Sequence, residues 1–443
     1  MISDKIGDYR IGEDDAYTGS FDGDGYTVSG LPQMELPLFD TIGSGGELKN
    51  LTLSGATVNN VSSTPAVGLV ESNNGTVSDC AVSDITIIGS TSSAMIGTNR
   101  GTVTNCTATN ITVTGKSAAA GIVYLNTGTI EKCNVVSGTV KAVHTENYDS
   151  HAGGICVRSG AGTIRECSNN ADVTAESSST VIYAAAGIVA APSDSNGASV
   201  QVTKCFNSGD IKGGYAGGIS GYDNTSVYVN LSLCYNEGAI TGSIAGGIAA
   251  SGSNDSSDKI INCYNVGAVN ATSKAGGIAG NQGNCIIENC HNYAKIVSDN
   301  IGAPIVGYSS DVWPGPDELI NNHAIEGNVD APTVSSYLDT KGATSNFDAV
   351  TKGSTREEFA DGTVTAKLNA GNSETVWYQY NDYPILEQRH MHKWEYTLEG
   401  TDTIKAECVN AGCDLTNNSG GSVTITATYE KYLNNLSLNC SIF

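Results

Sequence analysis

Short apolar segments recur along the chain, and each is followed by a turn rich in Gly, Asn and Asp. Each repeat has an A-G-G-I-like segment, an aliphatic residue three positions before a cysteine and another about six positions after it. Around Cys234 these are Ile219, Leu231 and Ile240. Because a strand keeps one face at even separations, an inward Leu231 and an inward Cys234 require a bend between them. The pattern predicts three short strands per repeat, separated by corners.

The cysteines define the period of the repeat. Eight of the 13 cysteines occupy equivalent positions, 26 to 38 residues apart: Cys80, Cys106, Cys133, Cys167, Cys205, Cys234, Cys263 and Cys290. A period of this size is typical of a solenoid, in which each strand pairs in parallel with its copy about 4.8 Å away. We therefore predict an all-β fold, a right-handed parallel β-helix with nine coils from Gly68 to about Val329.

Two ladders of side chains are predicted inside the coils. In-register cysteines have Cβ atoms about 4.8 Å apart, farther than a disulfide allows, which predicts free buried thiols. Cys156 and Cys285 lie out of register and are the candidate exceptions. The second ladder lies two residues after the cysteine and comprises Asn169, Asn207, Asn236, Asn265 and Asn292. Stacked Asn amides bond one another and the turn backbone, so we assign them a structural role.

The composition changes after the last repeat and divides the chain into three parts. Residues 1–330 are the predicted β-helix of repeats, and 331–389 are an exit segment and C-terminal cap. In the cap, Trp377 and Ile385 are expected to cover the open edge of the last coil, which would otherwise invite pairing with another chain. Residues 390–443 are expected to form a small β-rich module whose last residues suggest truncation.

The charge balance limits the partners. The chain has 22 Lys and Arg against 46 Asp and Glu, a formal net charge of −24, which argues against nucleic acid and anionic lipid. No run of 18 apolar residues exists, so membrane insertion is not predicted. The first residues lack a basic segment followed by an apolar one, and we expect any leader or anchor to lie outside this sequence.

The repeats resemble a known family. The segments VGLVESNNGTVSDC (67–80), AMIGTNRGTVTNC (94–106) and AGGIAGNQGNCIIENC (275–290) are similar to the GLUG repeat of bacterial surface proteins. GSFDGDGYTVSGL (19–31) resembles the segment that introduces such repeats. The resemblance implies an extracellular or cell-surface, adhesin-like bacterial protein. Some immunoglobulin A peptidases carry these repeats beside a zinc protease domain, but no His here is followed by the Glu of H-E-x-x-H.

Two further sequence features could carry chemistry. The D-G-D-G segment at Asp22 could indicate calcium, but two carboxylates without a following acidic ligand favour a tight turn. Cys408 and Cys413 follow His390 and His392. In an exported protein a disulfide between the two cysteines is the first interpretation; zinc held by all four residues and free thiols remain alternatives. No catalytic residue and no cofactor are predicted.

An aromatic column is the predicted binding site. It lies one residue after the cysteine and comprises Phe206, Tyr235, Tyr264 and His291. If the cysteines point inward, these rings point outward, either as a self-stacking ladder or as a surface for glycans or host proteins. We therefore predict a non-enzymatic surface or adhesion protein, with a carbohydrate-active β-helix enzyme as the alternative. The ligand and the oligomeric state are left open by the sequence.

Overall fold

The chain forms two compact units in a computed structural model: Met1–Leu386 and Glu387–Phe443. The structure describes residues 10–60, 65–144, 149–178, 182–192, 199–222, 228–252, 258–282, 285–309, 318–334 and 353–386, together with three strands of the second unit. Within these residues, no helix has the length and apolarity needed to span a membrane.

The first unit is a parallel β-helix with four sheets around one core, which we name sheets I to IV in chain order around a coil. The prediction of a parallel β-helix is confirmed. Nine strands of sheet I lie between Gly68 and Val329, as predicted, and two more precede them. The prediction of three strands per coil is wrong. The A-G-G-I-like segment is itself a corner between two strands, so each complete coil contributes to four sheets.

Sheets I and II have 11 strands each. Sheet I consists of Ser20–Asp22, Glu47–Lys49, Thr76–Ser78, Thr102–Thr104, Thr129–Glu131, Thr163–Arg165, Ser199–Thr203, Tyr228–Ser232, Asp258–Ile261, Cys285–Glu288 and Glu318–Ile320. Sheet II consists of Thr27–Val28, Thr52–Ser54, Ala81–Ser83, Thr107–Thr109, Asn134–Val135, Ser168–Asn169, Phe206–Asn207, Tyr235–Asn236, Tyr264–Asn265, His291–Asn292 and His323–Ala324. The aromatic column and the Asn ladder therefore share sheet II.

Sheet III has 15 strands because several coils supply it with two short strands instead of one long strand, and sheet IV has ten. Sheet III consists of Thr57–Asn60, Ala66–Val67, Thr86–Ser93, Ile111–Ala120, Gly138–His144, Ser150–Gly153, Asp172–Ser177, Tyr183–Ala186, Ile211–Gly217, Ile240–Gly246, Val269–Gly276, Ile296–Ser298, Ile301–Ala303, Val329–Asp330 and Thr333–Val334. Sheet IV consists of Phe39–Ile42, Val70–Asn73, Ile96–Asn99, Val123–Asn126, Cys156–Ser159, Val189–Pro192, Ser220–Tyr222, Ala249–Ser251, Ala279–Gln282 and Val306–Ser309.

The bend predicted before each cysteine is a single residue with a left-handed backbone. Leu233 has φ 56° and Asn262 has φ 53°, and each directly precedes a cysteine. One such residue turns the chain by enough to bring both the aliphatic side chain of sheet I and the cysteine inward. Asn and Asp tolerate this conformation best, which explains the frequent Asn and Asp at this position: Asp79, Asn105, Asn262, Asn289 and Asn321.

The Asn ladder is confirmed and fully hydrogen-bonded. The Nδ2 atom of Asn207 donates to Oδ1 of Asn236 at 2.8 Å, and Asn236 donates to Asn265 at 2.8 Å. Each amide also donates to the carbonyl two residues later, as Asn236 does to Gly238 at 2.8 Å. A second ladder, which the sequence analysis missed, links Asn73, Asn99 and Asn126 at 2.8 Å per step. Both ladders satisfy polar groups that the corners would otherwise leave buried without partners.

The eight in-register cysteines are buried and free, as predicted. The Sγ atom of Cys234, for example, lies 3.2 Å from the carbonyl oxygen of Ser232, to which the thiol donates. Cys156 and Cys285 are also buried thiols outside any disulfide, so neither is an exception. Burial raises the pKa of the Cys156 thiol, because a thiolate would lose its hydration there.

These thiols are expected to resist labelling in the folded protein. A water-soluble maleimide should leave all ten buried cysteines unmodified at pH 7 and label them after denaturation, because the reagent cannot reach thiols inside the folded coils. Peptide mass spectrometry of labelled samples measures this cysteine by cysteine. Labelling of Cys263 in the folded state, or a Cys234–Cys263 disulfide, would contradict the inward ladder.

The C-terminal segment of the first unit packs on the side of the β-helix. It contains helix α1 (Arg356–Ala360), helix α2 (Thr363–Ala370) and a hairpin of Tyr378–Tyr380 and Tyr383–Ile385. Before them, Ser354 pairs in parallel with Ile325 beside the last strand of sheet II. We call residues 353–386 the cap.

Trp377 and Ile385 do not cover the open edge of the last coil, as was expected, but pack with the helices and the hairpin on the outer face of sheet II. At that edge, Ser354 forms a bridge with Ile325. The second unit contains one antiparallel sheet of Trp394–Glu399, Thr403–Cys408 and Ser422–Thr426.

Candidate functional site

The aromatic column exists, but it is not a surface. The rings of Phe206, Tyr235, Tyr264 and His291 stack with centroids 4.8–5.1 Å apart and planes within 6°. Tyr235 is 5% exposed, Tyr264 1% and His291 0%. The prediction of a binding face is therefore wrong for these three rings, because the cap covers them. The alternative, a self-stacking ladder, is what the structure shows; only Phe206 remains partly exposed.

The cap completes this ladder with its own apolar side chains. Trp377 lies with its ring centroid 5.2 Å from that of His291 and 6.0 Å from that of Tyr264. Its Nε1 donates to Oδ1 of Asn262 at 3.2 Å, and Phe359 meets His291 edge-on at 5.6 Å. The column and the cap thus form a second hydrophobic core outside the coils. This core stabilises the fold and leaves no room for a ligand on the three buried rings.

Two buried histidines, His291 and His323, are neighbours in sheet II beneath the cap. The Nε2 atom of His291 donates to the carbonyl of Pro384 at 2.8 Å, and burial lowers the pKa of His291 to about 3. His323, its neighbour in sheet II, has Nδ1 3.2 Å from Oγ of Ser354, and burial lowers its pKa to about 4. Both rings are therefore neutral at pH 7, and neither is placed to exchange protons with a substrate.

A groove lies on the opposite side of the coil, where sheets III and IV meet. Outward-facing Ala118, Ala120, Val157 and Ala190 are at most 3% exposed and form an apolar cluster separate from the core. Side chains that point away from the coil interior can be buried only where the outer surface is concave, so this corner is concave. Glycine allows the close approach: a Cβ on Gly246 would lie 1.9 Å from the carbonyl oxygen of Ala249. We call this concave corner the III/IV groove.

Two columns of side chains face each other across the III/IV groove. Strand pairing between successive coils places one outward residue of each coil in a column on sheet III. A second outward residue, seven positions later in the chain, falls in a column on sheet IV. The facing pairs are His151 and Arg158, Ala184 and Ala191, Tyr215 and Tyr222, Ile244 and Ser251, Lys274 and Asn281, and Ile301 and Tyr308. Each coil therefore contributes one pair, and successive pairs are about 4.8 Å apart.

Direct contacts across the groove confirm that the columns face each other. The rings of Tyr215 and Tyr222 have centroids 4.3 Å apart at an angle of 47°. Two coils farther on, Nζ of Lys274 donates to Oδ1 of Asn281 at 3.2 Å and lies 3.5 Å above the ring of Tyr308. Asn281 is held in turn by its Nδ2 bond to Oγ of Ser251 at 3.3 Å. These side chains are half-buried, so the groove is lined and still open.

Burial changes the proton affinities in the groove. It raises the pKa of the Tyr215 hydroxyl and lowers the pKa of Lys274, in both cases because the charged form loses hydration. Burial, assisted by the charge of Arg158, lowers the pKa of His151 to about 4. At pH 7 the groove therefore presents neutral tyrosine and histidine side chains and the cations Lys274 and Arg158.

A cavity of about 450 Å³ adjoins the groove on sheet III, lined in part by Glu176, Tyr183 and Lys212. Glu176 lies between two lysines, with Nζ of Lys141 at 3.0 Å and Nζ of Lys212 at 3.9 Å from its carboxylate oxygens. This rim is therefore positive on balance, on a protein whose net charge is −24.

No protein-family model matches the chain, and no curated protein matches it. Among solved structures, the chain is similar to a crystal structure of a Bacteroides ovatus protein that is provisionally named an immunoglobulin A1 protease. The identity is 13%, the TM-score is 0.26, and the match covers 87% of this chain and 96% of that chain. A likeness this distant carries no argument about activity. The resemblance to GLUG repeats stays a prediction.

The remaining predicted sites have separate outcomes. The D-G-D-G segment is a turn, as favoured: Asp24 N–H and Asn50 Nδ2 both donate to Oδ1 of Asp22 at 2.9 Å. These bonds, Asn50 first, lower the pKa of Asp22. His390, His392 and Cys413 lie outside the described residues, and Cys408 ends a strand, so disulfide, zinc and free thiols all remain predictions. Among the described residues, no three His, Cys, Asp or Glu cluster as a metal site would need.

The sequence analysis missed the III/IV groove because it assigned the A-G-G-I-like segment to a single strand. That segment is the concave corner, and its small residues are what allow the two outer faces to approach. The groove could have been predicted from the two residues that lie on either side of this segment, seven positions apart, such as Tyr215 and Tyr222. Polar or aromatic residues at both flanks of a small-residue corner indicate a lined groove.

Proposed function

We propose that this protein is a non-enzymatic, surface-exposed binding protein that holds a glycan chain in the III/IV groove. The observation that carries the proposal is the half-buried ring pair of Tyr215 and Tyr222 at the concave corner. Tyrosine offers an apolar face to the ring of a sugar and a hydroxyl to its polar groups. A concave site with a few fixed polar groups is the usual form of a ligand site.

The dimensions of the groove favour a chain over a small molecule. Six facing pairs follow one another along the coils, which is five steps or about 24 Å at the spacing of parallel strands. The pairs differ from coil to coil although the ladders inside the coils do not, so the groove residues are not needed to build the coil. Neutral polar, aromatic and basic side chains line it in turn, a mixture that suits the hydroxyl-rich surface of a polysaccharide.

The facing pairs give little support to glycoside hydrolysis. That reaction uses two carboxylates on either side of the glycosidic bond. None of the six facing pairs contains Asp or Glu, and Glu176 at the rim is paired with two lysines. We therefore place the binding protein first.

Loss of the tyrosine pair is expected to abolish retention without unfolding the protein. The double variant Tyr215→Ala/Tyr222→Ala should bind at least tenfold more weakly to the glycans that the unaltered protein retains on an array of host and plant polysaccharides, because stacking on both rings is lost. Tyr26→Ala is the matched control, since Tyr26 is 71% exposed and far from the groove in the first coil. Equal retention by the double variant, or no retained glycan at all, would refute the proposal.

A polysaccharide lyase is the second candidate, and one observation favours it. Burial lowers the pKa of Lys274, so a larger fraction of its amine is unprotonated and able to accept a proton than in an exposed lysine. Incubation with pectate, alginate and hyaluronan, followed by the ultraviolet absorbance of unsaturated products, tests this activity. Product formation that Lys274→Gln abolishes would replace the binding proposal with the lyase; binding without product would favour the binding protein.

A further inference from the structure

We propose that the III/IV groove selects acidic polysaccharides, with Lys274 as the subsite for a sugar carboxylate or sulfate. This inference rests on the proposed glycan-binding function and names the class of glycan. It is carried by the way in which Lys274 is held: its partners are a neutral amide and a neutral ring, and the described residues place no carboxylate within ion-pair distance of it.

The geometry leaves part of the ammonium group available. A lysine has three N–H donors. Asn281 Oδ1 accepts one at 3.2 Å, and the face of Tyr308 at 3.5 Å takes part of the positive charge. Asn281 is itself fixed by Ser251, so its oxygen stays directed at the amine. The described residues supply no further acceptor and no carboxylate for the remaining N–H, and a bound anion would restore the stabilisation that burial removes.

The contrast with other lysines supports this assignment. Lys49, Lys141, Lys295 and Lys367 each have a carboxylate oxygen within 3.6 Å, as expected in a protein with about two acids for every base. Lys116, Lys204 and Lys259 lack such a partner among the described residues, but they are exposed to water. Lys274 also has none there and is half-buried. A cation in that setting is costly unless a ligand neutralises it.

A second cation, the exposed Arg158, lies toward the other end of the groove. Arg158 lies two pairs before the tyrosine pair and Lys274 two pairs after it, so the cations flank the rings at about 10 Å on each side. Arg158 also has no carboxylate within ion-pair distance in the described part of the chain. A polymer that carries a negative charge on regularly spaced sugars can therefore engage both cations while a ring between them stacks on the tyrosines.

The test compares acidic and neutral forms of one polymer. Polygalacturonate and its carboxyl-reduced form are titrated against the full chain by calorimetry, with heparin as the sulfated arm. Lys274→Gln should weaken polygalacturonate or heparin binding at least tenfold and leave the reduced polymer unaffected, because an ion-pair donor is lost and the stem of the side chain is kept. The polymer whose binding is weakened shows whether the subsite takes a sugar carboxylate or a sulfate. Lys295→Gln is the matched control, since Lys295 is exposed and pairs with Asp330.

A second variant keeps Lys274 but gives its amine a carboxylate partner within the protein. Asn281→Asp places a carboxylate beside the amine and should weaken binding of the acidic polymer as Lys274→Gln does, while circular dichroism and melting temperature report whether each variant is folded. If the unaltered protein binds acidic and reduced polymers equally, or if both variants bind polygalacturonate and heparin as tightly as the unaltered protein does, this inference is wrong. In that case retention of neutral glycans that depends on Tyr215 and Tyr222 would still support the proposed function.

Discussion

Replacing Trp377 with Ala is expected to lower the free energy of unfolding by about 3–5 kcal/mol, the range found for large buried aromatics. Trp377 is 1% exposed, and its ring meets Tyr264 and His291 of the aromatic column. The substitution leaves a cavity in the second core and removes the donor to Asn262 Oδ1. Urea unfolding monitored by tyrosine fluorescence and by circular dichroism measures the loss.

The control for this experiment is Tyr26→Ala, because an exposed aromatic should change stability by no more than about 0.5 kcal/mol. Comparison of the two probes also separates release of the cap from unfolding of the coils. If Trp377→Ala and Tyr26→Ala unfold at the same urea concentration, the cap does not cover sheet II in solution.

Acidification from pH 8 to pH 5 is expected to destabilise the first unit by about 4 kcal/mol through His291 and His323. Both have folded-state pKa values, about 3 and about 4, below the ordinary value of 6.5. Each histidine is neutral in the folded protein and takes up a proton only when the protein unfolds. The free energy of unfolding is therefore highest above pH 6.5 and decreases as the pH falls below that value. Between pH 6.5 and 5 each histidine costs about 2 kcal/mol.

Burial outweighs the two neighbours that oppose it, since the Pro384 carbonyl raises the pKa of His291 and the Glu358 charge raises that of His323. His291 meets the rings of Tyr264, Phe359, Trp377 and Tyr383, none of which is charged in this range. His323 lies near Lys367 and Glu358, which pair with each other at 2.9 Å. Hydrogen bonds, first from the Thr355 backbone, lower the pKa of Glu358, so it stays ionised at pH 5.

The matched variant is His291→Phe/His323→Asn, in which residue 291 copies the ring that Phe206 supplies to the same column. Its free energy of unfolding should fall much less between pH 8 and pH 5, and the remaining slope should come from His151, whose pKa is about 4. Urea midpoints across this pH range measure both slopes. Identical slopes in the variant and the unaltered protein would show that the two histidines are not buried.

The interior of the β-helix could be predicted from the sequence, while its outer surfaces could not. Cys234 and Asn236 recur because each must match its copy one coil away, and such a match appears directly as a repeat. The strand count was missed because the A-G-G-I-like segment is a corner between two strands, and because most strands of sheet II, such as Tyr235–Asn236, have only two residues and give no alternation to detect. The repeat therefore reveals the number of coils more readily than the shape of one coil.

The exposure of the aromatic column was mispredicted for a different reason. Its outward direction follows from the alternation next to Cys234 and Cys263, and that direction is correct. What covers it, however, is Trp377 and its neighbours, more than 80 residues beyond His291 in the chain. A periodic signal holds no information about contacts with a segment outside the repeat.

The Asn ladder has a consequence for folding fidelity. Asn236 accepts from Asn207 and donates to Asn265, and each Asn in the ladder repeats these two roles, so a chain that skipped one coil would still satisfy every amide in its corner. The ladder by itself thus leaves the order of the coils ambiguous. The outer rings differ between coils, and Trp377 contacts the two that carry Tyr264 and His291. We therefore expect the cap to dock fully only on coils stacked in their native order.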